Sequence, residues 1–249
     1  MKPPADLEGS RALVTGGSRG LGLELCRALG RAGARVAFTW AHEPSDAKAA
    51  RASLEAEGIE ALDFQGSVSD SGHVREVVAA LEAAWGGVDL LVNNAGLTQV
   101  LPISLIDEAD WDEVMDTNAK GAFLFSRAVL RGMIRRRAGR ILNIGNFSSE
   151  RLVEAPVHYA ASKSALRGLT EALAREVGRY GITVNLLAPG LLEEGLGAML
   201  PQHRIDEYLE QCPLRRLGAL PELTRIALFL LSADAAFVTG AKIAVDGGV

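Results

Sequence analysis

Cysteine is scarce in this chain. Cys26 and Cys212 lie far apart, neither belongs to a C-x-x-C pair, and the four histidines show no ligand spacing. Both a disulfide framework and a zinc site are therefore disfavoured. Long apolar runs are also missing: none approaches the roughly 20 residues needed to span a bilayer. The first eight residues, MKPPADLE, contain no apolar stretch of the kind a signal peptide carries. The expectation is a soluble, cytoplasmic protein. An excess of positive charge is absent too. The formal net charge is −5, which argues against a nucleic-acid binder while leaving room for local basic patches.

What the sequence does have is length and apolar content for one sizeable core, with 249 residues and 48% hydrophobic composition. A chain of this size often stays a single domain. Short runs rich in Val, Ile and Leu recur at 11–15, 35–39, 61–64, 88–92, 140–144, 183–187 and 242–245, each bounded by Gly, Pro, Asn or Asp. They read as buried strands. The segments between them read as helices, the clearest being 20–31, 70–84, 111–136 and 159–179. In the first, Leu21, Leu25 and Leu29 recur every fourth residue. Gly33, Gly58, Gly86 and Gly181 fall where helices should stop. Strands alternating with helices imply a Rossmann-like, three-layer, doubly wound α/β fold with a mostly parallel seven-stranded sheet. The one irregular stretch, 190–218, reads as a lid over a site or as an ordered surface excursion.

The first strand runs into TGGSRGLG, residues 15–22, and a helix opens at Gly20. Backbone N–H groups and the positive dipole end at such a helix start suit a pyrophosphate. The glycines allow the tight turn and a close approach of phosphates. A glycine pattern alone is weak evidence, but strand-turn-helix is the context that confirms it. The second strand ends Phe38-Thr39-Trp40-Ala41-His42, without the Asp or Glu that usually receives an NAD ribose. Arg19 in the turn can meet a 2′-phosphate, so NADP(H) is favoured over NAD(H). The plainer reading of Arg19 is a solvated loop charge.

Four further features fall at or near the carboxyl ends of strands, where open α/β sheets bind ligands. Asn93-Asn94-Ala95-Gly96 closes the fourth strand, Asn118 lies in a long helical pattern, Tyr159 and Lys163 are one helical turn apart, and Pro189-Gly190 closes the sixth strand. TGGSRGLG, NNAG, Asn118, YAASK, APG and VDGG together resemble the short-chain dehydrogenase/reductase family, over nearly the whole chain. GRILNIG, YAASKSALRGLTEALAREV and GITVNLLAPG are most similar to its 3-oxoacyl-acyl-carrier-protein reductase group.

That resemblance implies a cofactor lying along Gly16, Ser18, Arg19, Gly20, Leu21 and Gly22, then Trp40, then Ser67 and Val68, then Asn94, Ala95 and Gly96. It ends at Pro189, Gly190 and Leu192. Tyr159 is implied as proton donor, Lys163 as its electrostatic partner and holder of the nicotinamide ribose, and Asn118 as anchor of a water in a proton relay. A phenol has a reference pKa near 10, and a nearby ammonium favours the phenolate, so Lys163 is expected to bring Tyr159 toward neutrality.

Three positions depart from the family pattern. Asn146 stands where a serine is usual, thirteen residues before Tyr159. Its amide can also donate to a carbonyl. The alternatives are rescue by Ser148 or Ser149, or weak activity. Ser67 replaces an acid that holds the adenine amino group, and Glu194 replaces a threonine that meets the nicotinamide carboxamide.

Arg131, Arg135, Arg136, Arg137 and Arg140 form a basic run, with Arg175 and Arg179 late in the next helix. In the resembling reductases such residues dock an acidic acyl carrier protein. A solvated basic helix end is the equal alternative. Leu191, Leu192, Leu196, Met199 and Leu200 either line an acyl channel or pack the lid. His158 is expected to have a surface or packing role. Self-association to a dimer or homotetramer is implied by the resemblance. The leading expectation is an NADP(H)-dependent ketoreductase acting on a 3-oxoacyl thioester. Alternatives are a catalytically weak subunit that partners an active homologue in a hetero-oligomer, and a reductase of small free ketones or sugars.

Overall fold

The computed structural model describes residues 6–147, 155–195 and 200–249. The seven apolar runs pair side by side as β1 (Arg11–Val14), β2 (Arg35–Trp40), β3 (Ala61–Gln65), β4 (Leu90–Asn93), β5 (Gly139–Ile144), β6 (Ile182–Pro189) and β7 (Lys242–Val245). All neighbours are parallel, in the order β3-β2-β1-β4-β5-β6-β7. This is the expected Rossmann-like sheet, with strand ends shifted by at most two residues. The order reverses between β1 and β4, and that switch point opens a crevice at the carboxyl edge.

The helices are α1 (Gly20–Arg31), α2 (Pro44–Ala56), α3 (Ser71–Trp85), α4 (Glu108–Met115), α5 (Gly121–Arg136), α6 (Val157–Val177), α7 (Gln202–Gln211) and α8 (Leu220–Leu231). Side chains alternate across each strand, so β1 sends Ala12 and Val14 to one face and Leu13 to the other. The first face meets Leu25 and Leu29 of α1, Leu54 of α2 and Leu223 of α8. The second meets Leu81 of α3, Phe125 and Met133 of α5 and Val177 of α6. Each fully buried Leu or Phe contributes about 1.5–3 kcal/mol of apolar burial, so both layers are firmly held to the sheet. Among the described residues no helix is long and apolar enough to cross a membrane.

The helix expected over 111–136 is interrupted. It starts earlier, at Glu108, where Asp107 and Asp110 cap each other's backbone N–H. Between α4 and α5 the chain makes a π-helical turn, Asp116–Lys120. The helical path continues through it, and Asn118 at its middle is buried. Such turns often mark functional sites.

At the amino edge, opposite the crevice, Arg11, Asp89 and Arg136 tie β1, β4 and the end of α5 together. Arg11 Nε donates to Asp89 Oδ2 at 2.6 Å, and Arg136 Nη2 lies 3.4 Å from Asp89 Oδ1. Burial opposes the Asp89 charge, but the Arg11 hydrogen bonds and the two guanidinium charges outweigh it. They hold the carboxyl below its usual range. A depressed folded-state pKa gives stability that is present above the unfolded value and lost as pH falls through the folded one. Urea unfolding should therefore show wild type losing an increment of stability below about pH 4, and Asp89→Asn should lack that increment. Parallel pH profiles for the two proteins would contradict this account.

Candidate active site

The crevice is assembled where β1 and β4 end. Thr15 Oγ1 accepts from the backbone N–H of Asn94 and of Ala95, both at 3.0 Å. The Asn94 amide donates back to Thr15 O and Gly16 O, each at 3.0 Å. The glycine turn and the NNAG turn are thereby locked to each other. Gly22 is needed for this closeness, because a Cβ there would run into the Gly16 carbonyl and the Asn94 amide. Asn94 thus holds the turn together through its side chain.

The turn fits a phosphate. Arg19 precedes α1 without a side-chain cap, and the first turn of α1 has no acidic residue. Its leading N–H groups are left for an external acceptor. Gly20 sits at φ +52° with nothing within 4 Å of where a Cβ would lie, so the space above the helix start is open. Ser18 and Leu21 are half-buried alongside.

Toward the expected adenosine end, Trp40 closes β2 with its indole N–H donating to Asp63 Oδ2 at 2.9 Å. Asp63 also accepts from Arg51 at 3.2 Å. Arg19 is well exposed, and its guanidinium lies 3.6 Å from Asp46 of α2. The absence of an acid after β2 is real in the sequence, yet two acids reach this corner from α2 and β3. Exposed Ser67 turns its hydroxyl onto Ser69 Oγ at 2.8 Å, while Val68 is buried against Gly121.

At the other end, α6 presents Tyr159 and Lys163 to the crevice. A Cβ on Gly96 would lie 3.2 Å from Asn118 Oδ1 and 3.3 Å from Lys163 Nζ, so these three residues share one corner. Lys163 Nζ donates to Ile144 O at the end of β5, at 2.9 Å, and lies 5.8 Å from the Tyr159 ring centroid. Asn118 accepts from Leu97 N at 2.8 Å and donates to Leu97 O and to Ser162 Oγ, each at 2.9 Å. Ser162 Oγ in turn donates to Tyr159 O at 2.8 Å. Both Asn118 amide protons are therefore used. A water held by Asn118 has to sit on its main chain or on the second Oδ1 lone pair.

Asn146 is half-buried just after β5, next to buried Phe147. Pro189 and Gly190 are buried at the end of β6, and a Cβ on Gly190 would strike the Tyr208 hydroxyl. Leu192 is buried and bridges to Gly218, whereas Glu194 is exposed. Ser148, Ser149, Leu196 and Met199 lie outside the described residues.

Two expectations gain structural detail. The first concerns charge. Burial dominates both partners of the Tyr-Lys pair: it raises the Tyr159 phenol above its ordinary value and pulls Lys163 down to about 8. Burial is the cause that sets the direction for Tyr159, with the Lys163 ammonium 5.8 Å from its ring. The second concerns the basic run. Arg136 donates to Val88 O at 2.6 Å, Arg137 to Arg179 O at 2.9 Å and Arg140 to Gly139 O at 3.0 Å. These three arginines close off chain ends at the amino edge, about 20 Å from Asn146 along the six residues of β5. Sequence reasoning also missed Gln99, which lies 3.3 Å from His158. A bond across 59 residues leaves no local signal.

This fold, with a crevice at the switch point of its sheet, is shared with oxidoreductases. A family model described as enoyl-(acyl carrier protein) reductase matches residues 16–249. A 3-oxoacyl-(acyl-carrier-protein) reductase from Pseudomonas aeruginosa is 40% identical, with 98% of each chain covered. Among solved structures, a gluconate 5-dehydrogenase from Burkholderia cenocepacia J2315 in complex with NADP and tartrate is 37% identical. It superposes with a TM-score of 0.90, covering 97% of this chain and 95% of that one. An actinorhodin polyketide ketoreductase with NADPH is 32% identical at a TM-score of 0.90, covering 96% of both. The chain belongs to the short-chain dehydrogenase/reductase family of oxidoreductases.

The lowered pKa of Lys163 has a consequence for stability. A lysine whose pKa is about 8 folded and roughly 10.4 unfolded binds fewer protons in the native state between those values. Stability should then rise with pH across that window. Unfolding free energies at pH 7.5, 9 and 10 should show this rise for wild type and not for Lys163→Met. If the variant rises equally, the depressed lysine is not its source.

Proposed function

We propose that this protein is an NADP(H)-dependent ketoreductase that reduces a 3-oxoacyl thioester, delivered on a carrier protein, to the 3-hydroxyacyl form. The observation that carries the substrate class is a cavity of about 670 Å³ beside the crevice. Its walls include Val100, Leu101, Ile103, Phe147, Pro156 and Val157. Phe147 adjoins Asn146, and Val157 lies two residues before Tyr159. His203, Arg204, Glu207 and Gln211 of α7 also line the cavity, so the apolar stretch suits an acyl chain while the charged stretch is left for polar groups of the substrate or its carrier.

When bound, the nicotinamide supplies the hydride. The N-terminus of α1, with Gly16, Ser18, Gly20, Leu21 and Gly22, is assigned the phosphates. Trp40, Ser67, Val68, Asn94, Ala95, Gly96, Pro189, Gly190 and Leu192 are assigned the rest of the cofactor's length. Arg19, exposed beside that turn, is assigned the 2′-phosphate. Tyr159 keeps its proton at neutral pH because burial disfavours phenolate. A developing alkoxide is a far stronger base than phenolate, so the phenol remains a competent donor. Lys163 is still mainly protonated at pH 7 and has N–H groups beyond the one given to Ile144 O. They are assigned to the ribose. The Asn146 amide is assigned to the substrate carbonyl, and Asn118 to the water that refills the proton.

Purified enzyme should oxidise NADPH with an acetoacetyl thioester and prefer it to 5-ketogluconate. Tyr159→Phe should cut turnover by at least about 10²-fold while NADPH still binds, and Asn146→Ser should retain activity. An inert wild type that works only beside a homologue would replace this reading with that of a partner subunit. Ser67, Glu194 and Asn146 are the departures that such a reading rests on. For the cofactor, Arg19→Ala should weaken NADPH binding about 10-fold or more and leave NADH unchanged. Tighter binding of NADH than of NADPH by wild type would remove the NADP assignment.

A further inference from the structure

The cavity has one wall that no regular element supports. After β4 the chain runs without helix or strand from Asn94 to Pro102, then makes a short turn at Ile103–Leu105. Within it Val100 and Ile103 face outward, 63% and 69% exposed, and line the cavity. The facing wall, Pro156 and Val157, belongs to the start of α6, which carries Tyr159. The separation of these two walls depends on how residues 97–103 attach to the first turn of α6, while His203, Arg204 and Glu207 of α7 supply further lining.

Among the described residues, side chains hold this segment at Leu97 and at Gln99. Leu97 is held on both its N–H and C=O by Asn118. Two residues on, Gln99 Oε1 lies 3.3 Å from His158 Nε2. His158 is fully buried, and its Nδ1 accepts from the backbone N–H of Tyr159 at 3.0 Å. A ring nitrogen that accepts carries no proton, so Nε2 bears the hydrogen and donates to Gln99. The far side of Gln99 agrees: its Nε2 faces Glu113 Oε2 at 3.3 Å. A carboxylate only accepts, so the amide nitrogen must face it and the amide oxygen must face the imidazole. Three side chains from the loop, α4 and α6 fix one orientation between them. The backbone of Gln99 also accepts from Leu101 N at 3.1 Å, which carries the constraint into the wall itself.

We propose that His158 and Gln99 are positioning residues: together they latch the Val100–Ile103 wall to the turn that carries Tyr159 and so set which acyl chains the cavity accepts. Neither touches the reacting atoms. The latch fixes a distance between the proton donor and the wall against which the chain lies. The statement about acyl chains rests on the ketoreductase reading above. The statement about the wall does not.

The test uses Gln99→Ala, His158→Asn and the double variant. Asn at 158 keeps an acceptor for the Tyr159 N–H but is too short to reach Gln99, so the helix start is preserved and only the latch is cut. Hydrogen–deuterium exchange on the full-length protein should show faster exchange over 97–105 in each variant, with the centre of α6 unchanged. In turnover with NADPH, KM for an eight-carbon 3-oxoacyl thioester should change about 3- to 10-fold, the worth of one neutral hydrogen bond. The kcat should move less than about twofold, and the four-carbon thioester should be affected less. The double variant should be no worse than either single one. Unchanged exchange over 97–105 in both single variants overturns the latch. So do additive effects in the double variant, or equal losses of kcat for both chain lengths. If wild type turns over no acyl thioester, the ketoreductase reading falls, and the exchange experiment alone still decides whether the latch exists.

Discussion

The site depends on a junction between two neighbouring strands. β1 and β4 pair in parallel, but their connections leave the sheet toward opposite edges. The gap between their ends has to be bridged by something other than sheet hydrogen bonds. One threonine hydroxyl and one asparagine amide do this: Thr15 gathers the N–H groups of Asn94 and Ala95, and Asn94 returns two bonds to the carbonyls of Thr15 and Gly16. An unpaired buried polar group costs about 1–3 kcal/mol, so the bridge resists opening. With it in place, the glycine turn, the start of α1 and Gly96 occupy fixed positions around one crevice.

Burial then sets the chemistry of the far end. Tyr159 and Lys163 share a face of α6, and Lys163 is anchored to the last carbonyl of β5. The same packing that fixes their places strips water from both, keeping the phenol protonated and the lysine close to its titration point. Polar order around the pair comes from neutral groups: Asn118 to Ser162, Ser162 to the Tyr159 carbonyl, and Asn143 to Asn93 and Thr170 beneath them.

The sequence carried the fold clearly because its signals are local. Seven Val/Ile/Leu runs, the glycine turn and the spacing of Tyr159 and Lys163 each lie within a few residues, and the structure brings them to one edge. What it carried poorly is of two kinds. Helix α2 buries Ala47, Ala50 and Leu54, an apolar stripe made largely of alanine that gives a faint periodic signal, although Pro44 marks its start. Contacts between distant segments left no pattern at all: Asp46 beside Arg19, Asp63 beneath Trp40, Gln99 against His158. Reading Arg19 from its neighbours in sequence alone therefore missed the carboxylate that shares its corner. The arginines of 136–140 stand in a row in the sequence, and Arg137 stays exposed. In the structure their guanidinium groups finish off carbonyls at the edge away from the crevice.

The π-turn at Asp116–Lys120 has a consequence for how the gene can change. Each residue of an α-helix advances the side chains by about 100°, so one extra residue absorbed in a wide turn rotates everything after it relative to everything before it. Asn118 aims inward while α4 and α5 each keep their own apolar faces on the core. A deletion of one codon here would leave an uninterrupted and well-formed helix. It would also force a choice between the packing of α4 and that of α5, and swing the asparagine away from Leu97 and Ser162. A frame-preserving loss that most surface helices would absorb at their ends is, in this stretch, a lesion of the active site.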